Sequence, residues 1–317
     1  VTETTTLRLG EAVELGYAWV QRAATGRGIR VLFIKGPALH RQGLRDERVS
    51  ADIDVLVDPA RFAELCDAVA EGGWRERPGN FLSARTTLHS RTYVRDGWPC
   101  DLDVHSHFPG FLADTATVFD ALWARREHMP FAHHDCDVPD RIGAMLILAL
   151  HSLRSARTQR RHADELEQLL RVELTDEERA DAASLALTTG SAATLEAVLP
   201  RLGIELEPPA GELQSEALRE WRLRVAAGAH GAYFWLLAFR RAPWKERPAI
   251  VWRAWWPTRR DLLVARPLTV DTVRGRTGAR LARWSSGVRF APAAMRALWA
   301  HGRPVRSSAS RRRGVDI

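Results

Sequence analysis

The sequence predicts an α+β fold: an α/β-like N-terminal domain with a short mixed sheet, followed by an α-helical domain. Three observations predict it. Between Val31 and Glu71 the chain reads strand, turn, helix, strand, helix; apolar runs broken by Gly and Pro, alternating with helical periodicity, are the mark of an α/β unit. From Trp74 to Phe108 the reading shifts to β, with two strands around Arg95-Asp96-Gly97. Beyond Phe108 apolar residues recur at helical spacing.

Taken in order, Thr6 to about Ala24 is a helix with Leu7, Val13, Leu15, Trp19 and Val20 toward the core, broken by Gly26 and Gly28. Val31–Ile34 is a strand and Lys35-Gly36-Pro37 a turn. Pro37 suits a first helical turn, where its missing N–H is no loss. Ala38–Leu44 is therefore expected to be a short helix whose first N–H groups face any phosphate beside Gly36. Asp52–Val57 is the next strand. Asp58 caps a helix with Pro59 at its start, and Gly72-Gly73 end it. Leu88–Val94 and Trp98–His107 form the strand pair, with Asp101, Asp103, His105 and His107 on one face of the second. Val118–Glu127 is a short amphipathic piece, and His133–Asp137 a polar loop or hairpin. Helices follow at Arg141–Ser155, His162–Val172, Thr175–Leu187 with a capped start, Ala192–Leu202 and Leu213–Ala227. Pro208-Pro209 and Gly211 interrupt this series without requiring a domain boundary. The domains are expected at 1–115, 116–300 and, as a disordered basic Ser/Arg tail, 301–317.

Length and composition bound the function classes. The 317 residues are 45% hydrophobic with mixed charge, enough for a real core. Three cysteines without CxxC spacing exclude a disulfide framework and a zinc knuckle. No signal peptide and no apolar run of membrane-spanning length is visible, so a cytoplasmic protein without a membrane span is expected. From Arg240 onward the chain holds 19 basic and 4 acidic residues, against 27 basic and 35 acidic before it. That asymmetry permits an anionic partner such as RNA. Arginine supplies 44 of the 46 basic residues, however, which fits a compositional habit as readily. Trp235, Trp244, Trp252, Trp255 and Trp256 among those arginines suit base stacking, and suit helix packing better.

The chemistry concentrates in Val31–Val57. Asp52 and Asp54 lie two residues apart on a strand, so both carboxylates face one way, about 7 Å apart along the chain. Such a pair presents oxygen ligands to a hard divalent cation carrying phosphates. A lone Asp-x-Asp at a strand start is usually not catalytic. The preceding strand, the Lys35-Gly36 turn, the fifteen residues between Gly36 and Asp52, and a later acidic strand together make it a candidate site. Lys35 is one of only two lysines, the other being Lys245, which hints that a compact ammonium is wanted there. His105 and His107 with Asp101 and Asp103 are a weaker candidate for a zinc site. His133 and His134 read as exposed. No Walker loop, GxGxxG, GxSxG or HExxH occurs.

These residues resemble the minimal nucleotidyltransferase superfamily, which has the DNA polymerase beta-like fold. Within it the chain is similar to the uncharacterised nucleotidyltransferase family, through Lys35-Gly36, Asp52-Ile53-Asp54 and Asp103-Val104-His105, with Ala149-Leu150-His151 and Asp164 in the helical part. The resemblance covers about residues 7–200. It implies an N-terminal nucleotidyltransferase catalytic domain in which Asp52, Asp54 and Asp103 bind Mg²⁺ or Mn²⁺ carrying an NTP such as ATP. It implies further that Lys35 and Gly36 meet the phosphates and that His151 and Asp164 line the nucleotide side of the cleft. Asp101 lies on the same strand face as Asp103, so either can supply the third carboxylate; the Asp-x-His match favours Asp103 and leaves Asp101 a supporting metal role. Pro37 stands where many superfamily members have a serine that touches phosphate. The implied reaction is NMP transfer to a hydroxyl or phosphate of a small molecule, peptide or protein, in a family associated with peptide natural-product biosynthesis. The alternatives are RNA- or tRNA-directed transfer of the toxin type, and a non-catalytic scaffold in a biosynthetic complex.

Overall fold

Where the apolar runs at Val31 and Asp52 meet, they pair as neighbouring strands, and the sheet grows outward from them. The structure is a computed structural model and describes residues 7–86, 89–155, 159–227, 231–266 and 268–301. The elements are α1 (Leu9–Thr25), β1 (Val31–Phe33), α2 (Ala38–Arg41), β2 (Asp52–Val57), a 3₁₀ turn (Pro59–Arg61), α3 (Phe62–Glu71), β3 (Arg75–Glu76), α4 (Ser83–Thr86), β4 (Ser90–Val94) and β5 (Asp101–His105). They continue as α5 (Thr115–Ala124), β6 (Glu127–Phe131), β7 (His134–Val138), α6 (Arg141–Leu153), α7 (Arg160–Leu169), α8 (Asp176–Thr188) and a 3₁₀ turn (Leu199–Leu202). The last are α9 (Ala210–Gln214), α10 (Glu216–Ala227), α11 (Gly231–Arg241), α12 (Arg247–Trp255), α13 (Arg259–Ala265) and α14 (Val273–His301).

Among the described residues the sheet has five strands in the order β1-β2-β5-β4-β3, with β6 and β7 a separate hairpin. Only β2 and β5 run parallel; the other pairs are antiparallel, so the sheet is mixed as expected. One face of the sheet, through Val31, Phe33, Ile53, Val55, Leu102 and Val104, packs against Val13, Tyr17 and Val20 of α1 and Leu65 and Val69 of α3. The β6–β7 hairpin closes this core through Phe131, Cys136 and Val138. It turns at Ala132-His133, both with positive φ (46° and 61°), the geometry whose twist matches a two-residue hairpin. His133–Asp137, expected as a loop or hairpin, is therefore a hairpin. On the other face Leu32, Ile34 and Leu56 join a second core built on α6, with Leu146, Leu150, Leu185, Leu199 and Trp221. This second core seats the helices against the sheet.

α6 and α8 begin as the sequence predicts. Asp140 Oδ1 accepts the Gly143 N–H at 2.9 Å, and Thr175 and Glu178 form a reciprocal capping box. Elsewhere the helices differ. The expected helix Ala38–Leu44 is a single turn, because Gly43 at φ +69° ends it. Ala192–Leu202 is a run of turns closing in a 3₁₀ segment: Pro200 has no N–H to donate, and Ser191 and Thr194 use their side chains locally. Leu213–Ala227 is split at Ser215, whose extended backbone and hydroxyl, accepting from Leu218 N–H at 3.1 Å, start α10 afresh. β5 ends at His105, so His107 leaves the strand face it was expected to share. Thr6, Leu88 and the tail expected to be disordered, apart from His301, lie outside the described residues.

All three cysteines are free and buried. No helix of the described residues is long and apolar enough to cross a membrane. In the C-terminal region several arginines are paired: Arg241 with Glu220, Arg253 with Asp261, and Arg259 and Arg276 with Asp271. Trp235 stacks on Phe81 and Trp255 on Trp284, as helix packing requires. Trp244 is 73% exposed, and Trp252 and, beyond its contact with Trp284, Trp255 also face solvent.

Candidate active site

Parallel pairing of β2 with β5 sets Asp52 opposite Asp101 and Asp54 opposite Asp103. Neighbouring strands are about 4.8 Å apart, so the Asp54 and Asp103 carboxylates stand side by side on one face. Asp54 is buried, 2% exposed. Its Oδ1 takes Lys35 Nζ at 2.7 Å and His105 Nε2 at 2.9 Å. Burial alone would raise the Asp54 carboxyl, but Lys35 and His105 outweigh it and hold the group well below the usual carboxylate range. Asp103 has no such cation. Burial pushes its carboxyl up, the Asp54 charge adds to that, and a hydrogen bond from Thr92 offsets part of it.

Two buried polar atoms here lack a hydrogen-bond partner: Asp103 Oδ1 and His105 Nδ1. Asp54, Asp103 and His105 present ligand atoms that all lie within 4.8 Å of one another. Two carboxylates and an imidazole, with an orphaned oxygen, fit a divalent cation in both charge and donor type. Asp52 is half-buried, its Oδ1 accepting from Ser50 Oγ at 3.1 Å. Asp101 is drawn away by Arg77, whose Nη2 lies 2.5 Å from both of its oxygens.

The Lys35-Gly36 turn is locked from beneath. Tyr17 stacks on Phe33 with ring centroids 4.2 Å apart and donates from its hydroxyl to the Lys35 carbonyl at 2.8 Å. Gly36 has φ +69°, and a Cβ there would lie 2.2 Å from the Tyr17 hydroxyl oxygen. Left-handed backbone and close approach both require glycine. The Gly36 carbonyl accepts from Arg45 Nη2 at 2.7 Å, which ties the turn to the loop before β2.

The helical face contributes cations and a strut. His151 and Arg154 sit at the C-terminal end of α6, with Arg154 Nη2 3.3 Å from His151 Nδ1. Burial, then Lys35 and Arg154, push His151 well below its ordinary value, which keeps it neutral. Burial, then Arg224, lower Arg154 to about 9. Asp164 points into solvent, 70% exposed, with Arg160 at 3.9 Å. One residue on, a 100° rotation turns Glu165 inward instead, where Arg48 lies at 2.6 Å, Arg45 at 3.5 Å and His162 Nδ1 at 3.3 Å. Burial would raise Glu165, but His162 and the two arginines hold it down to about 2. His151, His162 and Glu165 also bring ligand atoms within 4.8 Å of one another. With both arginines on Glu165, the cluster braces α7 against the Arg45–Arg48 loop. Arg45, Arg48, Arg154 and Glu165 were not singled out from the sequence. The available signals were Arg45-x-x-Arg48 before the Asp-x-Asp strand and His162-x-x-Glu165 at one-turn spacing.

Facing aspartates on parallel strands, with lysine and arginine around them, make a centre suited to a divalent cation and phosphate, the need of a nucleotidyl-transferring class. Residues 17–199 match the family described as uncharacterised nucleotidyltransferase, and the chain belongs to that family. Family membership implies an NTP substrate, and nucleotidyltransferases generally use divalent metals. A crystal structure of an antigenic nucleotidyltransferase-like protein from Paracoccidioides brasiliensis is similar over 62% of this chain and 94% of that one, with 11% identity and a TM-score of 0.37; at that level the likeness carries no argument. No curated protein gives a significant sequence match.

Gly36→Ala is expected to cost at least about 1–2 kcal/mol for the left-handed backbone, plus the clash with Tyr17. In a Tyr17→Phe background the urea unfolding midpoint should fall less on introducing Gly36→Ala, because the clashing oxygen is gone. Glu165 is the pH reporter. Its folded value is depressed to about 2, so its stabilisation is present above the ordinary carboxylate range and is lost as pH falls from there toward about 2. Between pH 5 and pH 2.5, Glu165→Gln should therefore lose less unfolding free energy than the parent protein.

Proposed function

We propose that the chain transfers an NMP from an NTP to a hydroxyl or phosphate of a small molecule, peptide or protein, releasing pyrophosphate. The observation that carries this is the Asp54–Asp103 pair, in which Asp54 is buried and Asp103 keeps a buried oxygen without a partner, beside a lysine already bound to Asp54. Asp52, Asp54 and Asp103 are the residues that would hold Mg²⁺ or Mn²⁺, with Asp101 kept outside by Arg77. When bound, the metal supplies charge neutralisation at the phosphates and a lowered pKa for a coordinated hydroxyl.

The protein's own groups do the rest. Lys35 Nζ is a point cation at the β1 edge, where the transferred nucleotide's phosphates need countercharge. Its neighbour Gly36 gives backbone access without a side chain in the way. Arg154, half-buried and without a carboxylate of its own among the described residues, adds positive charge that charged oxygens can use. Asp103, whose basicity is raised by burial and by Asp54, accepts the proton of the attacking hydroxyl at its carboxylate. Neutral His151 lines the helical side, and we assign Asp164 no direct role because it faces solvent. We further propose residues 1–115 as the catalytic part and 116–300 as the helical part that closes the cleft.

A second reading, RNA as acceptor, is favoured by the exposed Trp244, Trp252 and Trp255 beside Arg247, an aromatic and basic surface of the kind that stacks bases. Both readings meet in one assay. The protein is incubated with each α-labelled NTP, Mg²⁺ or Mn²⁺, and pools of small metabolites, peptides or short RNA. Metal-dependent label transfer is expected, falling at least about a hundredfold in Asp54→Ala and Asp103→Ala. Transfer to RNA that weakens steeply with added KCl would select the second reading. Nucleotide binding that needs no metal and survives Asp52→Ala/Asp54→Ala would refute both.

A further inference from the structure

The basic side chains around Asp54 and Asp103 fall into two sets, one toward β1 and one toward β4 and the end of β5. Lys35, Arg45 and Arg48 come from β1 and the loop before β2. His89 and His107 flank the start of β4 and the end of β5, across the sheet order from β1. Their rings lie 5.8 Å apart, and His89 is 5.9 Å from His105, so the second set adjoins the site directly.

Behind these histidines the Pro109–Leu112 turn, α10 and α11 enclose a cavity of 310 Å³, a size that accommodates a small ligand. Its walls are fixed. Trp221 Nε1 donates to the Thr194 carbonyl at 3.2 Å, and Thr194 Oγ1 donates to the Gly110 carbonyl at 2.8 Å. Gly110, at φ +111°, lets the turn approach so closely that a Cβ would lie 2.9 Å from the Trp221 ring and 2.6 Å from Leu150. The charge of the cavity is unbalanced. In its wall Arg241 is held by Glu220, while Arg222, outside the wall, is held by Glu196. Arg224 lies over the Phe234 ring at 5.8 Å and has no carboxylate partner among the described residues. Burial lowers its pKa, and the His89 ring lines the same cavity. A partly buried guanidinium without an anion is stabilised when one arrives from outside.

In-line transfer requires the attacking and leaving groups on opposite sides of the phosphorus. With Lys35 serving the phosphates on the β1 side, the β4–β5 side is left for the attacking group. We propose that this cavity is the acceptor site and takes a small acceptor that carries an oxyanion, phosphate or carboxylate, next to a flat apolar group. The oxyanion pairs with Arg224, and the flat group lies against Trp221 and Phe234. The acceptor hydroxyl oxygen then bonds to the α-phosphorus, the bond from that phosphorus to the pyrophosphate oxygen breaks, and the hydroxyl proton passes to Asp103. This inference rests on the nucleotidyl-transfer reading and narrows its acceptor.

Calorimetric titration of the full chain tests it with phenyl phosphate, benzoate and the uncharged benzyl alcohol, each with and without an unreactive Mg²⁺-NTP analogue. The two anions are expected to bind more tightly than benzyl alcohol and to remain bound beside the nucleotide analogue. Arg224→Gln should weaken the anions at least tenfold, Arg224→Lys should restore part of the loss, and Arg222→Gln on the same helix should change nothing. Phe234→Leu, which keeps the charge, should weaken all three aromatic probes and serves if Arg224→Gln does not fold. Anion affinity indifferent to Arg224, or anions displaced by the nucleotide analogue, would overturn the acceptor assignment. A nucleotide analogue that fails to bind with Mg²⁺ counts separately, against nucleotidyl transfer itself.

Discussion

Two carboxylates held side by side on parallel strands repel each other, and the surroundings of Asp54 and Asp103 are organised by that repulsion. One charge is compensated: Lys35 and His105 converge on a single Asp54 oxygen. The other is not, and Asp103 keeps a buried oxygen without a partner. A fold selected for stability alone would gain by replacing such a group, since a buried carboxylate oxygen without a partner is costly. Its retention makes sense where a cation or a proton is to be received.

Meeting that constraint depends on parts far from the strand pair. Tyr17 of α1 supports the Lys35-Gly36 turn from below, Gly36 leaves room for the tyrosine oxygen, and Arg45 ties the same turn to Glu165 on α7. The lysine is thus positioned by both halves of the molecule. The second apolar core runs without interruption from Leu32 and Leu56 to α6 and α10, so the helical half is part of the site's foundation. Through Arg154 it also brings positive charge toward the Asp54 carboxylate.

Much of this was legible in the residues. The strand Asp52–Val57 has the limits its pattern predicts, because a polar start and an apolar run leave little choice of register. Alternation along the β5 strand placed Asp101 and Asp103 on one face, and only the Asp-x-His resemblance favoured Asp103. The residues alone could not separate Asp101 from Asp103, since both share a face and the arginine that pairs with Asp101, Arg77, is distant in the chain. Asp164 and Glu165 show the same limit on a helix: adjacent carboxylates differ by one rotation step, and packing against the Arg45–Arg48 loop decides which turns inward. The turns at Ala192–Leu202 and the break at Ser215 arise from side-chain hydroxyls competing for backbone partners, a local choice that apolar periodicity does not register. Arg154 and Arg224 were hidden by abundance, because in a chain with 44 arginines no single one stands out.

The central claim is that Asp54 and Asp103 together receive a divalent cation in the company of a nucleotide. Electron paramagnetic resonance of Mn²⁺, titrated into the protein with an unreactive NTP analogue, measures this directly. The account predicts tight, nucleotide-dependent Mn²⁺ binding that is lost in both Asp54→Asn and Asp103→Asn while the Asp101→Asn protein binds as the parent does. Mn²⁺ bound equally well by the Asp54 and Asp103 variants would contradict it.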